Sequence, residues 1–142
     1  MTDTVDKASG SRPRPEFRNI LLPQLLGYSY PPGAIVSILH RISGALLFLV
    51  GMPFVLYLFQ QSLLSEISFE NYRAIVGHWF TKLVLLALAW AYVHHVCAGI
   101  RHLFLDLDIG TDRGSSQSSA TIVLAVSLTL TLLIALKIFG VF

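Results

Sequence analysis

A chain of 142 residues that is 54% hydrophobic and 13% charged, with a mean hydropathy of +0.68, carries about half the charge expected of a soluble domain, which is near 25%. A water-soluble globular fold is excluded, and a formal net charge of +2 supplies no basis for a nucleic-acid partner. The length accommodates three membrane-spanning helices of roughly 20 residues each and no separate soluble domain.

Residues 1–18 are polar, with Lys7, Arg12, Arg14 and Arg18, and with Pro13 and Pro15 opposing helix. They read as a basic, extended arm. No apolar core of secretory type precedes Tyr30, because Pro23 breaks the Ile20–Leu26 stretch, so no cleavable signal peptide is expected. Tyr28 and Tyr30 suit a membrane interface, and Pro31, Pro32 and Gly33 punctuate the chain before the first span. Residues 1–33 are therefore read as an arm and interfacial segment, and residues 34–142 as a three-helix membrane domain.

The first helix is expected over about 34–59, with Pro53 as a kink that a membrane helix tolerates. The polar link that follows contains Leu63, Leu64 and Ile67, whose spacing fits a short surface helix. The second helix is expected over about 78–107, longer than a bilayer requires, so that its Arg101–Asp108 end reaches the headgroups. Residues 108–120 read as a polar turn and 121–139 as the third helix, with Lys137 snorkelling at its end. Seven basic residues (Lys7, Arg12, Arg14, Arg18, Arg41, Arg101, Arg113) fall on the side of the amino terminus and second link, and three (Arg73, Lys82, Lys137) on the other. That bias predicts a cytoplasmic amino terminus. Cys97 has no partner for an intrachain disulfide and reads as a small buried hydrophobe.

Two groups of polar residues interrupt the apolar runs. At about 100° per residue, Ser37, Arg41 and Gly44 share one stripe of the first helix, with His40 at its edge. His95, Gly99, His102 and Asp106 share one stripe of the second. Ionisable residues at such depth mark functional sites. Gly44 and Gly99 permit close approach of a helix or of a flat ligand. His95, about a turn and a half inward from Arg101, suits axial ligation of haem iron. His40, Arg41, Arg101 and His102 are candidates for the haem propionates. The competing reading of His95 is a histidine hydrogen-bonded to a neighbouring helix. His94 points about 100° away, His78 lies at the far end, and His40 is near the surface, so a second axial ligand is expected from another chain. Ser37 and Arg41, one turn apart, can hydrogen-bond a quinone carbonyl, with Asp106 available for proton delivery. Against this, Ser37 also suits a helix-capping or back-bonding role, and Arg41 a phospholipid phosphate.

These residues carry a family resemblance. Ser37-Ile38-Leu39-His40-Arg41-Ile42-Ser43-Gly44 resembles the S-I-x-H-R-x-[ST]-G signature of the cytochrome b membrane-anchor subunit of succinate dehydrogenase (respiratory complex II). His95-Val96-Cys97-Ala98-Gly99-Ile100-Arg101-His102-Leu103 followed by Asp106 resembles its H-x-x-x-G-x-R-H-L-x-x-D signature. Three spans behind a basic arm match the same layout. The amino-terminal segment departs: Arg14-Pro15-Glu16-Phe17-Arg18 keeps only the Arg-Pro of that family's R-P-x-S-P-H-L.

The resemblance implies an all-α integral membrane protein whose three transmembrane helices pack with a partner anchor subunit into a haem-containing bundle. It implies haem b, with His95 as the axial iron ligand and the second ligand from the partner chain. It implies His40, Arg41 and His102 beside the cofactor, and Ser37 and Arg41 at a ubiquinone-reduction site. The implied partners are a second anchor, an iron–sulfur subunit, a flavoprotein subunit and the phospholipid bilayer, with no nucleic acid. The implied setting is electron transport linked to the tricarboxylic acid cycle, at a bacterial inner membrane or its equivalent, in a chain that does not itself oxidise succinate. The alternatives from the residues are an anchor cytochrome b of another quinone-linked dehydrogenase and a cofactor-free membrane scaffold.

Overall fold

The computed structural model describes residues 23, 24 and 27–140, and the basic arm lies outside the described residues. Among the described residues the secondary structure is helical throughout. Helix α1 spans Pro32–Leu46. Pro32 occupies the first turn, where its missing N–H costs nothing, and the Pro31 carbonyl accepts from the backbone N–H groups of Ala34 (2.9 Å) and Ile35 (3.2 Å). The helix continues through one π turn, Leu47–Gly51, into α2, Met52–Leu64, forming a single 33-residue apolar rod, Pro32–Leu64. The Met52 N–H reaches back to the Leu47 carbonyl, five residues away. Pro53, which has no N–H and whose ring crowds the preceding turn, follows at once. The expected disturbance at Pro53 thus takes the form of a widened turn just ahead of it.

A short helix, α3 (Glu66–Gly77), follows after the single extended residue Ser65. Ser65 and Ser68 cap it reciprocally. The Ser68 N–H donates to Ser65 Oγ (3.2 Å) and the Ser65 N–H to Ser68 Oγ (2.8 Å), which satisfies two otherwise orphaned donors. His78 then caps α4 (Trp79–Asp106), its Nδ1 accepting from the Phe80 N–H. The turn into α5 (Arg113–Ile138) uses positive φ at Asp108 (58°) and Gly110 (72°). Asp112 caps α5 by accepting from the Ser115 N–H at 2.9 Å. That hydrogen bond also holds the Asp112 carboxyl below the usual carboxylate range.

Two boundaries differ from the sequence reading. The first rod runs to Leu64 rather than to about residue 59. The third span starts at Arg113 rather than 121, so the serine-rich stretch read as a turn is the first two turns of a helix. Asp112 starts it, and its serines have an intrachain use described below.

The bundle is built on α4. Its buried core is small: Val36, Ala98, Ala120 and Val123, with Cys97 and Leu124 packed against it. Large apolar side chains face outward instead, among them Phe48, Leu49 and Leu103. Only 17–22% of the most apolar window of each span is buried. Such an exterior suits lipid or other membrane helices rather than water. At 1.5 Å per residue, the 28 residues of α4 extend about 42 Å, beyond the roughly 30 Å hydrocarbon core. The protein is therefore an integral membrane protein of three spans.

Candidate functional site

The site lies on the seam between α1 and α4. His40 of α1 and His95 of α4 stack face to face, with ring centroids 4.1 Å apart and planes 10° from parallel. His102, two turns along α4 from His95, lies 5.1 Å from the His40 ring at 54°. Three of the sequence-predicted residues thus form one cluster of imidazoles.

The orientation of His95 is fixed by oxygens. Its Nδ1 lies 3.1 Å from the His40 carbonyl and 3.3 Å from Ser43 Oγ. The Ser43 hydroxyl is itself donating to the His40 carbonyl at 2.9 Å, so its oxygen presents a lone pair to the ring. Both neighbours of Nδ1 accept, and the arrangement is consistent only with an Nδ1–H donor. Nε2 has no hydrogen-bond partner among the described residues, and in the neutral ring it is the nitrogen that carries the unshared pair. Gly44 makes this placement sterically feasible: a Cβ there would stand 2.8 Å from His95 Cε1, closer than packed atoms approach. At Gly99 a Cβ would stand 3.5 Å from His40 Nε2, an ordinary contact, so only Gly44 is required by close approach. Continuing inward along the same seam is an apolar cleft of about 440 Å³ lined by Leu47, Gly51, Val55, Leu88 and Tyr92.

The remaining predicted residues stand apart from this cluster. Ser37 is half-buried, while Arg41 and Asp106 are exposed, and none makes a side-chain hydrogen bond or ion pair among the described residues. Their polar groups remain available to something outside the chain.

Two basic residues of α4 face the other way. His94 is fully buried, its Nδ1 is 3.4 Å from Ser127 Oγ of α5, and Trp90 stacks on it at 5.6 Å. Its Nε2 is buried without a hydrogen-bond partner. Arg101, expected among the propionate candidates, is instead turned onto α5. It donates from Nε to Ser119 Oγ and from Nη2 to both the carbonyl and the hydroxyl of Ser116, each at 3.0 Å. Sequence reasoning missed Ser43, Ser116, Ser119 and Ser127. Ser43 was within reach, three residues after His40 inside the first signature. The other three required knowing which helix packs beside α4.

Comparison with known proteins places the chain in a family. Residues 12–134 match the family described as succinate dehydrogenase/fumarate reductase transmembrane subunit. The succinate dehydrogenase cytochrome b556 subunit of Coxiella burnetii is 39% identical over 105 residues, covering 72% of this chain and 82% of that protein. The proteins of the same description from Paracoccus denitrificans (31% over 138 residues, 97% and 99% of the two chains) and Rickettsia typhi (31% over 134 residues, 94% and 98%) align nearly end to end. The two signatures, the three spans and these relatives converge: the chain belongs to the succinate dehydrogenase/fumarate reductase transmembrane subunit family, among its succinate dehydrogenase cytochrome b membrane anchors.

Proposed function

We propose that this chain ligates one side of a b-type haem through His95 Nε2 and forms part of a ubiquinone-reduction site. The observation that carries the haem reading is the Nδ1–H of His95 held by the His40 carbonyl. Such a bond orients an imidazole and raises the basicity of its other nitrogen. The ring fits the cofactor in a second respect. The Nε2 lone pair lies in the imidazole plane, whereas His40 covers the ring face, so the stacking leaves the ligating direction clear. The apolar cleft beside Tyr92 suits the hydrocarbon part of a porphyrin. Arg41 is the cation for its carboxylates, with His40 and His102 as hydrogen-bond donors beside it. A bound haem would supply a one-electron carrier; the protein supplies position and charge.

The second axial ligand is assigned to a partner anchor subunit. His40 is stacked face to face on His95 and so could not serve across an iron held by His95 Nε2, and His94 is enclosed against α5. At the same end of α1, Ser37 and Arg41 present a hydroxyl and a guanidinium to a quinone carbonyl, and Asp106 is the group for proton delivery. Electrons arrive from an iron–sulfur subunit, and succinate is oxidised in a flavoprotein subunit, so this chain is a non-succinate-oxidising part of the enzyme. Its setting is the bacterial inner membrane with a cytoplasmic amino terminus. The test is an optical spectrum of the complex purified in mild detergent, with identification of the co-purifying chains. A reduced b-type band in the assembled complex, absent as a low-spin species when this chain is expressed alone, is the expected result. A lone, monodisperse chain that holds low-spin bis-histidine haem would refute shared ligation.

A further inference from the structure

Arg101 is only 7% exposed, yet every group to which it donates is a neutral oxygen: Ser119 Oγ, Ser116 O and Ser116 Oγ. A guanidinium has five N–H donors. These bonds occupy Nε and Nη2, and Nη1 makes no hydrogen bond among the described residues. No described carboxylate lies within ion-pair distance. A cation so far removed from water ordinarily has a counter-charge.

The counter-charge has a place to sit. Arg101 lines a cavity of about 520 Å³ at the mouth of the three-helix bundle, together with Gly33 and Ala34 of α1, His102 of α4, and Arg113 and Gln117 of α5. Arg101 and Arg113 bring two guanidinium groups to the cavity, and no acidic residue lines it among the described residues. Gly33 brings the backbone against the guanidinium; a Cβ there would stand 3.3 Å from Nη2. The depth is defined by helix length. Arg101 is five residues, about 7.5 Å, from the end of an α4 that outruns the hydrocarbon core by roughly 12 Å. It therefore stands at the boundary between acyl chains and headgroups, where phosphate is the abundant anion.

We propose that this cavity is a binding site for the phosphodiester of an anionic phospholipid, with Arg101 as its buried anchor and Arg113 and His102 at its entrance. Phosphate oxygens would complete the donors of Arg101 and neutralise it. The lipid would then bridge α1, α4 and α5 at one end. The cavity shares His102 with the haem reading, whereas its anchors, Arg101 and Arg113, take no part in the haem and quinone sites proposed above.

The experiment takes the purified complex, strips it of lipid in detergent, and measures phospholipid retention by mass spectrometry. Thermal stability is then followed on titration with short-chain phosphatidylglycerol, phosphatidylcholine and inorganic phosphate, with the haem spectrum recorded in parallel. Wild-type protein is expected to retain phosphatidylglycerol and be stabilised by it. Arg101→Gln and, independently, the surface change Arg113→Gln should each weaken that lipid roughly fivefold, the value of one interfacial cation. Arg113→Gln leaves the buried clasp intact, so it decides the matter if Arg101→Gln fails to assemble. Equal stabilisation by inorganic phosphate would make the site one for a free anion and overturn the lipid assignment. Unchanged lipid retention in both variants would overturn it as well, as would an altered haem spectrum in Arg101→Gln with retention intact, which would identify a propionate contact.

Discussion

Helix α4 packs against both α1 and α5, which also touch one another, and its polar residues meet the two neighbours differently. Toward α5, Arg101 is clasped by Ser116 and Ser119, and His94 is buried beside Ser127 with Trp90 stacked on it. Toward α1, His95 has one nitrogen committed and the other open, with His40, Arg41 and His102 near the bundle's surface. Adjacent residues, His94 and His95, therefore belong to different kinds of seam. The first holds helices together with small residues and side-chain hydrogen bonds, a common membrane solution. The second leaves His95 Nε2 without a hydrogen-bond partner among the described residues. That difference between neighbouring residues, rather than burial, carries the haem proposal.

The largest expected effect separates the two histidines. His95→Ala should abolish low-spin bis-histidine haem in the purified complex, whereas His94→Ala should preserve it. His94→Ala should instead lower stability by about 1–3 kcal/mol through a lost hydrogen bond and a cavity, read as easier thermal unfolding in detergent. A spectrum indifferent to His95 and sensitive to His94 would invert the comparison. Next comes the glycine that admits the His95 ring. Gly44→Val should displace the imidazole and remove most of the haem, because even one added carbon falls 2.8 Å from Cε1.

Intermediate effects belong to the quinone residues. Ser37→Ala and Arg41→Ala should each slow quinone reduction roughly tenfold, the equivalent of a lost buried hydrogen bond of about 1.4 kcal/mol. Succinate oxidation by a soluble dye in the same membranes should be spared. Arg41→Lys should not restore full activity, since an ammonium lacks the planar fork. Normal quinone turnover in both alanine variants would return Arg41 to a lipid contact. The smallest effect is expected at Gly99→Ala, where the added carbon makes an ordinary 3.5 Å contact with His40; haem content and activity should stay near wild type.

Much of this was legible in the residues. Three apolar runs define three spans, and the offsets along α4 place His95 and His102 on one stripe and His94 off it. The start of α5 was not legible, because Ser115, Ser116, Ser118 and Ser119 resemble a loop until Arg101 is known to face them. The neighbour of Arg101 was not legible for the same reason: an offset gives an angle around one helix but not the neighbour found at that angle. The π turn was half visible, since Pro53 marks the disturbance without fixing how the backbone absorbs it.

The Arg101–serine clasp also bears on how the third span is attached. The helices are tied by side chains on both sides of the turn, while the turn itself, Leu107–Asp112, contributes one cap and two residues of left-handed backbone. Covalent continuity there is then dispensable in principle. Two separately translated polypeptides divided at Gly110 should find one another in the bilayer and rebuild the bundle, and Arg101→Leu should prevent their co-purification while the unbroken chain still assembles.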